Sequence, residues 1–131
     1  MGDYLYVDNS EKLKDILDKA KDVESVGIDT EADGLHNYEE KVCLIQLAVG
    51  KHLYIVDPLS DIDIDSLLQP LSQKKLIFHG ADYDLRMLKN SFGISPQAGI
   101  FDTMIAAQLL GFERVGLVDV AKALCGVELQ I

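Results

Sequence analysis

Two acidic residues, Asp29 and Glu31, stand one residue apart where the apolar run VGI leads into DTEADGL. Residues i and i+2 of a β-strand point to the same face, so the two carboxylates are expected to project together, with Ile28 and Thr30 facing the other way. Carboxylates beside a buried strand are costly to desolvate unless a basic side chain, solvent or a metal ion meets them. Oxygen ligands so placed suit Mg²⁺ or Mn²⁺, but a solvated strand end is the more usual explanation of Asp-x-Glu alone.

A third acid, Asp84, lies in the segment LIFHGADYDLRML, residues 76–88. The pattern predicts a short buried strand ending at His79, a turn at Gly80 and then a helix that carries Asp84 in its first turns. Asp84 is therefore expected about one turn from the sheet end that holds the first two acids. Alternatively, it and Asp82 stand there only because negative side chains stabilise a helix N-terminus.

The elements that would position these acids alternate between strands and helices. Apolar runs bounded by turn residues predict strands at about 24–31, 42–49, 52–57, 75–79 and 99–102. Helical periodicity and capping residues predict helices starting at Asn9 or Ser10, at about 63–72 and 81–91, from Asp102 or Thr103 to Gly111, and at about 117–125. The second and third strands form a hairpin across Gly50 and Lys51. Three strands followed by strands that alternate with helices predict an α/β fold with a mixed sheet.

In such folds, ligands collect at the carboxyl ends of the strands. The candidate residues at those ends are Asp29, Glu31, Asp57, His79 and Asp102. A helix cap is sufficient explanation for Asp102, which is interpreted as structural. An apolar strand ending in Asp57 is also typical of phosphoacceptor receiver domains, but those need a Lys after a later strand, which this chain lacks. The turn at Pro58 explains Asp57 adequately.

Composition limits the possible classes of function. The 131 residues make one domain, and 48% hydrophobic with 26% charged residues is typical of a globular protein without a membrane segment. The formal charge of −10 argues against a protein that clamps nucleic acid with Lys and Arg, but leaves open a nuclease that meets phosphates through divalent cations. The two cysteines, Cys43 and Cys125, are far apart in sequence, and both are interpreted as small buried hydrophobic residues. Two unclustered cysteines predict a reduced, cytoplasmic setting.

Three blocks of sequence, in order and at matching distances, resemble the DEDD superfamily of 3′→5′ exonucleases, and the ribonuclease D branch most closely. The blocks are VGIDTEADGLHNYEEKVCLIQLA, LIFHGADYDLRMLKNSFGI and FDTMIAAQLLG. The resemblance runs from about residue 24 to the end of the chain, which makes it far more specific than any single motif. It implies a ribonuclease-H-like fold, a mixed sheet flanked by helices. It also implies hydrolysis of phosphodiester bonds at the 3′ end of RNA, with DNA the less favoured substrate.

The same resemblance implies roles for individual residues. Asp29 would bridge two Mg²⁺ or Mn²⁺ ions, Glu31 would bind the ion that holds the attacking water, and Asp84 would reach the shell of the other ion. Thr30 and Leu35 match places where the family contacts the terminal nucleotide, Leu35 as an apolar wedge beside its base. His79 and Tyr83 match places where the family lines the pocket. The alternatives are a surface apolar residue after a turn for Leu35 and ordinary helix packing for Tyr83.

One part of the family pattern is missing from this sequence. The family carries a further acid on a later helix, preceded one turn earlier by Tyr or His, and after Gly126 this chain offers only VELQI. Residues 1–131 are therefore expected to form an exonuclease domain truncated before the third motif, either as a piece of a longer enzyme or as a chain that has lost activity. Weak turnover is expected in both cases. The alternative function is an inactive exonuclease-like module that binds nucleic acid or serves as a scaffold.

Overall fold

A computed structural model of the chain describes residues 3–33 and 41–129. The strands of this described part are β1 (Tyr4–Val7), β2 (Ser25–Asp33), β3 (Lys41–Val49), β4 (His52–Val56), β5 (Lys75–Phe78) and β6 (Ile100–Asp102). Its helices are α1 (Ser10–Ala20), α2 (Ile64–Leu71), α3 (Ala81–Phe92), α4 (Thr103–Leu109) and α5 (Leu117–Cys125). Every strand and helix predicted from the sequence is present, with bounds that differ by a few residues.

The strands form one mixed sheet in the order β1-β4-β3-β2-β5-β6. The pairs β2–β3 and β3–β4 are antiparallel, and the pairs β1–β4, β2–β5 and β5–β6 are parallel. The mixed sheet and the hairpin are thus confirmed. From β2 the chain moves through β3 and β4 towards one edge, and from β5 it moves to β6 at the other edge. The boundary between β2 and β5 is therefore a switch point, and α/β sheets commonly bind ligands at such points, at the carboxyl ends of the strands.

The hydrophobic core lies on one face of the sheet, where α1, α2 and α3 pack. Its largest fully buried side chains include Ile16, Leu67, Leu88, Val26, Ile45 and Phe78. In α1 the buried residues Leu13, Ile16 and Ala20 recur at intervals of three and four, which places them on one side of the helix. The alternate strand residues project to the opposite face and are more exposed, among them Tyr4, Tyr6, Gln46, Leu53 and Phe101.

The side chain of the residue before the helix caps α1, α2 and α4. Asn9 accepts from the Lys12 N–H at 2.9 Å, which selects Asn9 rather than Ser10 as the cap of α1. Asp63 caps α2 in the same way through the Ser66 N–H at 3.4 Å. Pro70 lies inside α2, and the helix ends one residue later at Leu71.

None of the helices in the described ranges has both the length and the apolar character needed to cross a membrane.

Three details differ from the sequence predictions. β2 continues to Asp33, because β3 pairs with it as far as Lys41, so the acidic pair lies within the strand rather than at its last residues. The apolar segment 4–7, for which the sequence pattern predicted no strand, forms the edge strand β1. Cys125 is exposed rather than buried, because α5 buries only Val120. Both cysteines are free thiols.

Candidate active site

The acidic pair of β2 projects as strand alternation predicts. Asp29 and Glu31 are exposed, whereas Thr30 between them is 4% exposed. Immediately after Glu31 the register with β3 shifts, because Glu31 pairs with Leu44 and the next residue pairs with Val42. Such irregularities strengthen the local twist and re-aim neighbouring side chains, and they are common beside active sites. The two carboxylates therefore stand on the more exposed face of the sheet, at an irregular point of the strand.

The side of β2 that faces β5 is paired over only part of its length. The two strands are aligned at Ser25–Gly27 and Lys75–Ile77, and β5 ends one residue later at Phe78. Beyond that point the backbone N–H of Thr30 donates to Oδ1 of Asp84 at 3.0 Å. A side chain of α3 thus satisfies a backbone donor that a longer β5 would otherwise face. This bond holds α3 against β2 beyond the end of β5.

Asp84 is buried, with 3% of its surface exposed. Its Oδ1 accepts a second hydrogen bond from the Thr30 hydroxyl at 2.5 Å. Burial raises the pKa of the Asp84 carboxyl above its ordinary value; the two bonds from Thr30 oppose this, and the charges of Asp29 and Asp102 reinforce it. The carboxylate is therefore fixed in position, while its negative charge is disfavoured by its surroundings.

Among the described residues, the acids of the site form no salt bridge with a basic side chain. Burial, followed by the charge of Glu31, raises the pKa of Asp29, while the Thr30 N–H and His79 act against this shift. The salt bridges formed among residues 3–33 and 41–129 involve neither of these acids, nor Asp84. Of the three partners that the sequence left open, a basic side chain that forms a salt bridge with these acids is therefore absent from the described residues. Solvent and a cation remain as the possible partners of these carboxylates.

The donor set suits a hard divalent cation, because carboxylate oxygens are the ligands that Mg²⁺ and Mn²⁺ prefer. In this conformation, however, no three acidic, His or Cys side chains of the described ranges are close enough together to enclose one metal ion. Asp29 and Glu31 project from the exposed face, and Asp84 is tied to the residue between them. The described residues thus supply an open set of oxygen ligands, and the set is not a closed cage.

Thr30, predicted to contact the terminal nucleotide, and His79, predicted to line its pocket, are both hydrogen-bonded within the protein. Thr30 is buried, and its hydroxyl is bonded to Asp84. His79 contacts the Thr103 hydroxyl through Nδ1 at 2.7 Å and the Val115 carbonyl through Nε2 at 2.8 Å. Both ring nitrogens of His79 therefore have protein partners, which fits a polar group satisfied at a strand end. The nucleotide contact of Thr30 and the pocket-lining role of His79 stay predictions.

The other two residues with predicted roles at the terminal nucleotide or its pocket are Tyr83 and Leu35. Tyr83 precedes Asp84 in the first turn of α3 and is 38% exposed, so part of its ring reaches the surface next to the buried acid. Leu35 lies outside the described residues. Their predicted roles, contact with the pocket for Tyr83 and a wedge beside the base for Leu35, are not tested by these positions.

Asp57 is accounted for by the turn that follows β4. Its Oδ1 accepts from the Leu59 N–H at 2.9 Å, and its Oδ2 accepts from the Tyr6 hydroxyl at 2.8 Å. Strand β3 separates β4 from β2, so Asp57 does not share a strand pair with the acidic residues. The turn interpretation of Asp57 is confirmed, and the receiver-domain alternative gains no support.

Asp102 caps α4, as predicted, through the N–H groups of Met104 at 2.9 Å and Ile105 at 3.4 Å. It also accepts from the N–H groups of Gly80 at 2.9 Å and Ala81 at 2.7 Å, at the start of α3. Partial burial acts to raise the pKa of Asp102, but these four hydrogen bonds outweigh it and hold the pKa below the ordinary value. Asp102 is therefore an ionised group that joins the first turns of two helices.

The partnership of Thr30 and Asp84 was not foreseen from the sequence. The sequence does indicate that Thr30 needs a partner, because its hydroxyl lies on the same strand face as the buried apolar residues Val26 and Ile28. A buried hydroxyl on an apolar face needs a hydrogen-bond partner. The sequence pattern alone does not say which distant element supplies that partner.

Replacing Thr30 with Val removes the hydroxyl that binds Asp84 and keeps the shape of the side chain. We expect Thr30→Val to lower the free energy of unfolding by about 1–2 kcal/mol, because a hydrogen bond to a buried charged group is lost. Thr30→Ser retains the hydroxyl and serves as the matched control, with a smaller loss. Urea unfolding of the metal-free protein measures both values, and equal losses for the two variants would contradict a specific role of the hydroxyl.

Comparison with known proteins connects this arrangement to a family. A family model described as 3′-5′ exonuclease matches residues 4–131. DNA polymerase I of Aquifex aeolicus is 31% identical over 128 residues, a match that covers 98% of this chain and 21% of the polymerase. Ribonuclease D of Desulfotalea psychrophila is 36% identical over 108 residues, covering 80% of this chain and 29% of that protein.

The fold has a close counterpart among solved structures. The crystal structure of Escherichia coli RNase D matches with a TM-score of 0.87 at 27% identity, over 98% of this chain and 35% of that chain. The expected ribonuclease-H-like fold is thereby confirmed. The chain spans only between a fifth and about a third of the length of these three proteins. Proteins of this family generally depend on divalent metals. The chain thus belongs to the 3′-5′ exonuclease family, in its ribonuclease D-like branch.

Proposed function

We propose that this chain forms the metal-binding part of a 3′→5′ exonuclease that removes nucleotides from the 3′ end of RNA. The observation that carries the proposal is the arrangement of three acids about one strand. Asp29 and Glu31 are exposed on the same face of β2, and Asp84 is bonded to the residue between them. No salt bridge of the described residues neutralises these acids.

The ions proposed for this site are two Mg²⁺ or Mn²⁺ ions, as the resemblance of the motifs implies. Bound divalent ions would neutralise the phosphodiester and activate water for its hydrolysis. Asp29 and Glu31 are the exposed oxygen donors on β2. Thr30 holds Asp84 through Oδ1, so Asp84 offers a donor whose position is set before any ligand arrives.

RNA is the proposed substrate because of the relatives that the chain matches. One relative is a ribonuclease D, and the matching crystal structure is described as an exoribonuclease involved in structured RNA processing. The net charge of −10 supports an enzyme that meets phosphates through cations, because the chain has few basic groups with which to bind them directly. The match to a DNA polymerase makes DNA the alternative substrate to be tested.

The test is an assay of the chain on a single-stranded RNA labelled at its 5′ end, with a DNA of the same sequence beside it. We expect slow, stepwise shortening of the RNA with Mn²⁺ or Mg²⁺ and none with a chelator. An RNA whose 3′ hydroxyl is blocked should persist, because an exonuclease starts at that end. Faster shortening of the DNA would overturn the preference for RNA, and cleavage within the blocked RNA would overturn the exonuclease proposal.

A catalytically inactive module that binds nucleic acid or serves as a scaffold is the second candidate. It is favoured by the absence of a closed three-ligand cluster among residues 3–33 and 41–129. A module of this kind would leave the RNA intact at every metal concentration. If it binds the RNA, a gel-shift or anisotropy measurement would show binding without shortening, which separates it from a slow enzyme.

The cytoplasm is the proposed location. Cys43 and Cys125 are free thiols in the folded chain, which is the usual state of cysteines in a reducing compartment. Fractionation of cells that produce the protein, followed by immunodetection, tests this directly. Recovery in a secreted or membrane fraction would contradict it.

A further inference from the structure

Helix α3, which carries Asp84, begins without a cap of its own. The residue before it, Gly80, has a φ of 77° and a ψ of 63° and lacks a side chain that could accept a hydrogen bond. Its left-handed backbone turns the chain sharply from β5 into the helix. A Cβ at this position would stand 3.6 Å from Cε of Met104 in α4, so the turn packs closely against that helix. The first N–H groups of α3 must therefore find an acceptor elsewhere.

The carboxylate of Asp102 supplies that acceptor from the end of β6. Its Oδ1 receives the Gly80 N–H at 2.9 Å and its Oδ2 receives the Ala81 N–H at 2.7 Å. The same Oδ1 caps α4 through the Met104 N–H at 2.9 Å. By contrast, Asp63 caps only its own helix, α2. Asp102 thus joins the first turns of two helices, α3 and α4. Its Oδ2 accepts a hydrogen bond from α3, and its Oδ1 is shared between the start of α3 and α4.

Asp84 stands three residues after Ala81, within the same first turns of α3. Two contacts set its position: Thr30 binds its carboxylate from β2, and Asp102 binds the backbone at the start of its helix. A shift of the helix start would carry the Asp84 carboxylate along the helix axis, away from Thr30. The position of the buried acid therefore depends on a residue that lies outside the acidic set.

We propose that Asp102 is a positioning residue for the metal site, which it serves by holding the start of α3 so that Asp84 meets β2. The inference rests on the proposed metal-binding function of Asp29, Glu31 and Asp84. Asp102 itself has four N–H partners and binds no ion in this role. Its effect on the site passes through Asp84 alone.

The experiment measures Mn²⁺ affinity of the whole chain by electron paramagnetic resonance of the free ion. Asp102→Asn retains one acceptor oxygen and replaces the other with an amide that cannot accept the Ala81 N–H. We expect this variant to bind Mn²⁺ about tenfold more weakly. Asp63→Asn, which perturbs the cap of α2 away from the site, is the matched control and should bind as the wild type does. Equal affinities of Asp102→Asn and the wild type would overturn the proposal.

A double variant tests whether the effect passes through Asp84. In the Asp84→Asn background, Asp102→Asn should cause no further loss of Mn²⁺ affinity, because the acid that it positions is gone. A further tenfold loss in that background would overturn the proposed route. The wild type and Asp29→Ala are measured in the same series. If the wild type does not bind Mn²⁺, or if Asp29→Ala binds equally well, the proposed metal site fails and this inference fails with it.

Amide hydrogen exchange supplies a readout that needs no metal. The Thr30 amide, protected by Asp84, should exchange about tenfold faster in Asp102→Asn and at the wild-type rate in Asp63→Asn. An unchanged rate in Asp102→Asn would overturn the proposal. Asp102→Ser keeps a hydroxyl cap for α4 on a shorter side chain, and it is measured in the same way if the asparagine variant does not fold.

Discussion

Replacing Asp29 with Asn is expected to reduce metal-dependent shortening of a 3′ RNA end by about 100-fold or more. Metal-ion stabilisation of the reacting phosphate is worth several kcal/mol, and each 1.4 kcal/mol corresponds to about a tenfold change in rate. The substitution removes a charged oxygen donor from the exposed face of β2 and leaves a side chain of the same shape. The measurement is the initial rate of shortening of a 5′-labelled RNA at saturating Mn²⁺, relative to the wild-type chain.

The control for this variant is Asp18→Asn. Asp18 is 70% exposed and lies in α1, where it forms a surface ion pair with Lys21, so the same loss of charge occurs far from β2. Its rate should remain within about twofold of the wild type, because exposed pairs contribute little to stability. Equal rates for Asp29→Asn and the wild type would show that the Asp29 carboxylate takes no part in hydrolysis.

Replacing Asp84 with Asn is expected to lower activity by about 100-fold or more and to make the metal-free protein more stable. The amide oxygen can still accept the two bonds from Thr30, whereas the buried negative charge is removed. We expect a gain of about 1 kcal/mol in the free energy of unfolding, a size common when a strained functional group is replaced. Urea unfolding in the presence of a chelator measures this gain, and the RNA assay measures the loss of activity.

The gain from Asp84→Asn should depend on pH in a definite direction. Because the folded state raises the pKa of Asp84 above its ordinary value of 3.8, the protonated carboxyl stabilises the wild type at low pH, and this contribution is lost as the pH rises through the raised pKa. The two proteins should therefore be similar in stability near pH 4, with the variant more stable at pH 7.5.

Asp82→Asn is the control for the stability measurement. Its side chain is 92% exposed in the same helix and forms a surface pair with Arg86, so its effect should stay within about 0.5 kcal/mol. An Asp84→Asn variant that is less stable than the wild type at pH 7.5 without metal would contradict an unfavourable buried charge at this position.

The order of strands and helices could be read from the sequence because the deciding signals are local. Apolar runs such as KLIF give β5, and the spacing of Leu13, Ile16 and Ala20 gives α1. Alternation along β2 also predicted correctly that Asp29 and Glu31 would project together, on the face opposite to Thr30. Each of these inferences needs only a few neighbouring residues.

The contacts that fix the site could not be read in the same way, because they join residues far apart in the chain. The bond from Thr30 to Asp84 spans 54 positions, and the bond from Gly80 to Asp102 spans 22. The first depends on where β2 and β5 stop pairing, and the second depends on the register of β5 with β6. For Asp102, the sequence indicated its own helix cap correctly, but it contained no local sign of a second helix bound to the same carboxylate.

The wide separation of Thr30 and Asp84 also sets the order in which the site is completed during folding. A chain is synthesised from its N-terminus, so Asp29 and Glu31 are made almost together. The third acid, Asp84, follows more than fifty residues later. The loop between them closes only when α3 docks on β2, and long-range closures of this kind are slow steps of folding. If the proposed metal site is correct, Mn²⁺ affinity arises at that step. The time course of Mn²⁺ uptake during refolding would then measure when helix and strand meet.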